Sequence, residues 1–159
     1  MQITIVAVGK VREPFVKDGL NMYRSRLAPS HTLTFIDLPE ERVPARISEK
    51  QKTAIMEAEW SRFKESGHRA AVTIALDPGG ELLSSEELAS RIHQYELEGR
   101  GSVAFLIGGP LGLPPAVREQ ADMVLSLSRM TFPHQLVRLI LIEQLYRAVC
   151  INRNIPYHK

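Results

Sequence analysis

Two hydrophobic rhythms alternate along this chain. Short apolar runs rich in β-branched residues occupy positions 3–8, 32–38, 71–76, 103–107 and 123–127, each closing near glycine, proline or a small polar turn. Runs of that length and composition predict buried strands. Between them the period lengthens to that of a helix. After Pro14, which suits a first helical turn, Val16, Leu20, Tyr23 and Leu27 fall on one stripe, and Pro29 stops it. Met56, Trp60 and Phe63 share a face of a helix predicted over 47–66 and ended by Gly67. Ser84 and Glu87 have the spacing of a capping box ahead of Leu88, Ile92 and Tyr95. A short helix is predicted from Pro114, and a long one over 136–149.

Five strands separated by helices predict an α/β fold: a mostly parallel sheet with helices on both faces. The first strand belongs at or near its centre. With 159 residues and 44% hydrophobic content, the chain is expected to form a single domain, residues 1–159. The charged, proline-flanked segment 39–46 reads as a mobile surface loop. The last helix is unusual, because apolar residues from Leu136 to Val149 leave hardly any face for water. A chain this small has little interior to surround such a helix, so part of it is expected to pack on a second copy, as a twofold homodimer. The alternative is a helix threaded through its own core.

Charge changes this picture little. Twenty basic and eighteen acidic residues leave a net +2, which excludes a strongly polyanion-binding composition. From Arg129 onward, however, five basic residues face one acid, Glu143. Cys150 is the only cysteine, so no internal disulfide is possible, and its apolar neighbours suggest a packed thiol. The first ten residues lack the pattern of an export signal, and no apolar run nears the ~20 residues needed to span a bilayer. A cytoplasmic protein with no membrane partner is expected.

The familiar catalytic patterns are missing. Gly108-Gly109-Pro110-Leu111-Gly112 has the wrong spacing for a dinucleotide fingerprint, no phosphate-cradling Gly-Lys-Ser/Thr run occurs, and no Gly-x-Ser-x-Gly elbow is present. The five histidines lack metal-ligand spacing, so no metal is expected. What remains is a pair of strand ends, the turn after Ile107 and the turn Ser128–Thr131, in the position where open α/β sheets hold small molecules. Such a pocket suits a ligand gripped by backbone amides and apolar contact that brings its own reactivity. On these grounds a nucleotide-dependent enzyme, or a non-catalytic RNA binder, is equally admissible.

Several segments together narrow the choice: Val8-Gly9-Lys10, Leu76-Asp77, Ile107-Gly-Gly-Pro-Leu-Gly, Ser128-Arg-Met-Thr-Phe-Pro-His-Gln-Leu-Val-Arg, Glu143-Gln-Leu-Tyr-Arg-Ala and Pro156-Tyr-His-Lys. In that order, over the whole length, they resemble the RlmH family of SPOUT-class RNA methyltransferases. The resemblance implies S-adenosylmethionine as cofactor and N3 of a pseudouridine in large-subunit ribosomal RNA, within the assembled ribosome, as acceptor. It also implies a carboxyl-terminal trefoil knot and a homodimer whose sites are completed by the partner. Carried over by position, the cofactor residues are Leu76, Gly108, Leu127, Ser128, Arg129, Met130, Thr131 and Phe132. Phe132 stands where the family usually has leucine, and Asn154-Ile155 lacks the glycine expected before the terminal motif.

The same resemblance implicates Arg147, Tyr157 and His158 in acceptor binding or catalysis. An imide nitrogen is a poor nucleophile while protonated, so a positive charge and a proton acceptor are wanted near it. Arg147 can supply the first, and His158, beside Tyr157, the second. Without the resemblance these residues read otherwise. Arg147 is four residues after Glu143, the spacing of a surface ion pair, and Tyr157 and His158 are ordinary terminal residues.

Overall fold

The computed structural model describes residues 1–159. Ten elements alternate without exception: β1 (Gln2–Val8), α1 (Pro14–Leu27), β2 (Thr32–Leu38), α2 (Glu49–Glu65), β3 (Val72–Leu82), α3 (Ser85–Leu97), β4 (Ser102–Ile107), α4 (Pro115–Gln120), β5 (Met123–Ser126) and α5 (His134–Asn152). The five strands form one sheet in the order β2-β1-β4-β3-β5, and every pairing is parallel. β1 therefore lies one strand in from the edge, and β4 is central.

Side chains alternate across the sheet as a period of two requires. Ile3, Ile5 and Ala7 join a cluster of 24 buried residues with the apolar stripes of α1, α3 and α5. Val6 and Val8 turn the other way, into a cluster of nine with Trp60 of α2 and Val117 of α4. The two faces are thus unequal, and the larger core holds the long last helix. The capping boxes form as hydrogen bonds: Ser84 Oγ accepts from the Glu87 amide at 3.1 Å, and an unforeseen Ser48–Gln51 pair does the same for α2.

Three expectations need correction. Asp77-Pro-Gly-Gly does not end the third strand; β3 breaks register between Leu76 and Glu81 and resumes pairing with β5. Gly80 makes this possible, since a Cβ there would lie 2.6 Å from the Val124 carbonyl oxygen. The segment 39–46 is a surface loop as read, but its first residues are tied to α2: Arg62 donates to the Pro39 carbonyl at 3.0 Å and to Glu41 at 2.7 Å, while Glu59 accepts from the Glu41 amide at 3.1 Å. Finally, α5 runs past the predicted 149. It closes in a Schellman turn, with Ile155 N–H donating to the Cys150 carbonyl at 2.8 Å and Asn154 N–H to that of Ile151 at 3.2 Å. Asn154 takes the left-handed conformation, φ 53°, that the absent glycine would have taken. Asparagine is one of the few residues that tolerates it.

Within its own chain α5 is covered on most of its girth. Arg138, Leu141, Ile142, Leu145, Ala148, Val149 and Cys150 are buried, and every other position from His134 to Ile151 is only partly exposed. Much of its apolar character is therefore explained by the larger core, with α1 and α3 packed along it. No helix is long and apolar enough to cross a membrane.

Candidate functional site

At the carboxyl edge of the sheet, the ends of β3, β4 and β5 and the first turn of α5 enclose a cavity of about 480 Å³. Leu76, Gly108, Leu127, Ser128, Met130, Thr131 and Phe132 all line it. Arg129 does not; its neighbours face the cavity while it stands outside. Sequence reasoning passed over Asp77, Leu111, His134 and Val137, which also form the wall. The signal for the last two was present, since His134 and Val137 sit one turn apart at the start of a helix that follows the Ser128–Thr131 turn.

The shape of the wall follows from two turns. A Cβ on Gly108 would lie 2.3 Å from the carbonyl carbon of Gly112, so only glycine lets the two limbs of this loop close on each other. In the second turn Ser126 Oγ donates to the Ser128 carbonyl, and Ser128 Oγ accepts from the Met130 amide, both at 3.0 Å. These bonds hold the turn without using every amide. The N–H groups of Leu111, Leu127 and Thr131 donate to no protein acceptor. Charge is scarce: Asp77 is the one carboxylate on the wall, and it accepts from the Gly79 amide at 2.8 Å and pairs with Arg118 at 3.3 Å. Free amides and apolar walls around a volume in the usual range of small-molecule pockets suit a nucleoside-sized ligand.

The residues that the resemblance implicates in acceptor binding lie elsewhere. Arg147 is thirteen residues beyond His134 on α5, about 20 Å by helical rise. There the terminal residues fold back onto the helix. Glu143 Oε1 accepts from Arg147 Nη2 at 2.5 Å and from the Tyr157 hydroxyl at 3.0 Å. Tyr157 also meets the Tyr23 hydroxyl at 3.2 Å and stacks edge-on to Tyr146. Arg147 Nη1 lies 3.2 Å from His158 Nδ1, and His158 Nε2 lies 2.8 Å from Glu86. Arginine cannot accept, so Nδ1 is the acceptor and Nε2 carries the proton given to Glu86. The sequence-based ion pair of Glu143 with Arg147 is therefore real, yet it is half-buried and shared with the tail.

This network fixes protonation. Burial, then the hydrogen bonds to Tyr23 and Glu143, push the Tyr157 hydroxyl well above the usual phenol range. The bond to Glu143 raises Arg147 further still. Glu86 is lowered, first by its own backbone amide and next by His158. The structure thus brings Arg147, Tyr157 and His158 together, and keeps all three apart from the cavity of their own chain.

Solved structures share this architecture. A probable methyltransferase from Bordetella pertussis Tohama I superposes with a TM-score of 0.55 at 14% identity, over 92% of this chain and 95% of that one. A probable methylase family protein from Haemophilus influenzae Rd KW20 gives 0.51 at 16%, over 96% of this chain and 66% of that one. These likenesses concern the fold. The family model described as "Predicted SPOUT methyltransferase" matches residues 1–158. The chain belongs to the SPOUT methyltransferase family. Within that family, this SPOUT chain is similar to proteins named ribosomal RNA large subunit methyltransferase H. Those from Carboxydothermus hydrogenoformans and Bifidobacterium animalis subsp. lactis are each 45% identical over 159 residues, covering all of both chains.

Proposed function

We propose that residues 1–159 act as one S-adenosylmethionine-dependent methyltransferase domain that modifies N3 of a pseudouridine in large-subunit ribosomal RNA, in the assembled ribosome. The observation that carries this reading is the cavity closed by Gly108 against Gly112, lined by unspent amides and almost free of charge. The seven wall residues named above, from Leu76 to Phe132, would hold the cofactor, and Arg129 would border it. Bound there, S-adenosylmethionine supplies an electrophilic methyl group on a sulfonium.

The protein's own tasks are to align the acceptor and to manage its proton. Arg147 stays cationic and can stabilise the anion left when the imide nitrogen gives up its proton. Tyr157 stays protonated and serves as a hydrogen-bond donor that orients the base, held in place by Glu143 and Tyr23. The Nδ1 lone pair of His158, which faces Arg147, is the one to receive the acceptor's proton once Arg147 turns to the substrate. About 20 Å of helix separates these groups from the cavity of the same chain. A homodimer resolves this, with the tail of one copy facing the cavity of the other, and the carboxyl-terminal segment threaded as the family's knot.

The test is to offer isotopically labelled S-adenosylmethionine with ribosomes lacking the modification, and to map the product. Label in one pseudouridine of the large-subunit RNA is the expected result. Ribosomes that remain unlabelled would overturn the assignment.

A further inference from the structure

We propose that the flank of α1 beside β2 and the loop before it form a track for an RNA phosphodiester backbone, leading to the cavity of the same chain. This deepens the RNA-methylating reading and rests on it. Between positions 10 and 26 the chain carries Lys10, Arg12, Lys17, Arg24 and Arg26 against Glu13 and Asp18. All five cations are exposed, and none lies within 4.0 Å of a carboxylate. Arg62, Arg91, Arg100 and Arg118 each have an acidic partner, whereas Lys50 and Lys64 of α2 are unpaired as well; what sets Lys17 and Arg24 apart is the cleft they share. Arg26 turns to the opposite flank, over Tyr23 and Tyr146, which leaves Lys10, Arg12, Lys17 and Arg24 as one strip. Unpaired cations so arranged gain most from a polyanion, because each phosphate they neutralise releases a bound counterion.

Geometry gives the strip direction. Lys17 and Arg24 are two helical turns apart, about 10 Å, and both border a cleft of about 310 Å³ between α1 and β2. Its floor is Arg138, buried at 1% exposure, whose Nε has no partner. The one carboxylate of the cleft, Asp37, is already taken by Arg138 at 2.6 Å. At the other end of the strip, Gln135 Oε1 accepts from the amides of Arg12 and Glu13 at 2.7 and 3.1 Å. Gln135 adjoins His134, a wall residue of the cavity. The loop that carries Lys10 and Arg12 is therefore held against the α5 turn that forms part of the cavity wall, and Lys17 and Arg24 extend away from it. The exposed Phe15 and Met22 lie on the opposite flank of the helix, so a second copy seated on them leaves Lys17 and Arg24 open.

The test is the double reversal Lys17→Glu with Arg24→Glu, compared with Lys50→Glu plus Lys64→Glu on α2, a control of equal charge. Methyl transfer to ribosomes is measured at several salt concentrations, S-adenosylhomocysteine binding by calorimetry, and oligomeric state by sedimentation. The track predicts a KM for ribosomes raised at least tenfold (~10-fold or more), a shallower salt dependence, and unchanged kcat and S-adenosylhomocysteine affinity, with the control like the parent. A KM like the parent's, an equal loss in the control, or a variant that dissociates into single chains would each overturn it. Should the parent itself fail to methylate ribosomes, filter binding to large-subunit RNA fragments decides: weaker binding by the reversal keeps the track while the methylation reading falls, and equal binding overturns the track.

Discussion

The two ends of α5 are built for opposite purposes. At its start, around His134 and Val137, the helix closes a cavity whose grip comes from glycine turns, free amides and apolar walls. At its finish, Glu143, Arg147, Tyr157 and His158 form a connected set of titratable and aromatic groups. The first end suits a ligand that already carries a reactive group; the second suits one that has to lose a proton. A single helix keeps them about 20 Å apart, so on the proposed reading one chain would carry both halves of a methyl transfer without joining them.

The sharpest way to break the contrast is at the first end. Gly108→Leu forces a side chain into backbone that a lone Cβ would already meet at 2.3 Å, and should abolish S-adenosylhomocysteine binding and cut kcat/KM by about 100-fold or more. Calorimetry and a methyl-transfer assay check both, and retained cofactor affinity would contradict the site. Arg147→Ala acts at the second end. If its charge serves the acceptor as proposed, the substitution should lower kcat about 100-fold while cofactor affinity stays at the parent value.

Stability separates the ends too. Arg138 donates to Asp37 and to the carbonyls of Val8 and Gly9, pinning α5 to the edge of the sheet beside the cavity. Arg138→Met leaves those acceptors without their donor and should cost about 3 kcal/mol, a fall in Tm of roughly 8 °C by thermal denaturation. A smaller effect is expected at Glu59, buried behind Gly109 and raised above the usual carboxyl range chiefly by desolvation. The protonated form favours the folded state, and that advantage is lost as pH rises through the raised value. Glu59→Gln keeps an acceptor for the Glu41 amide. Its Tm should therefore exceed the parent's by about 2 °C at pH 7, with the difference vanishing below pH 4.

Much of this was legible in the residues themselves. Apolar runs and helical stripes specify ten elements in the correct order, because the inner strands are covered on both faces and the helices before α5 on one. Asp77-Pro-Gly-Gly misled as a strand end, since a local turn signal says nothing of the β5 backbone that Gly80 allows to approach. Segment 39–46 misled because its anchors, Arg62 and Glu59, are some twenty residues away in sequence. The wall of the cavity followed from strand ends and the resemblance together. Nothing in spacing alone joins Tyr157 to Tyr23, or His158 to Glu86, since these contacts depend on the tail turning back at Asn154.

The most direct measurement mixes the two inactive variants. Gly108→Leu chains have a sound tail and a spoiled cavity; Arg147→Ala chains have the reverse. After denaturation and joint refolding, half of all dimers would be heterodimers, each with one site of two intact, so activity should return to about a quarter of the parent's. Activity no greater than the sum of the two variants assayed separately would contradict a site shared between chains.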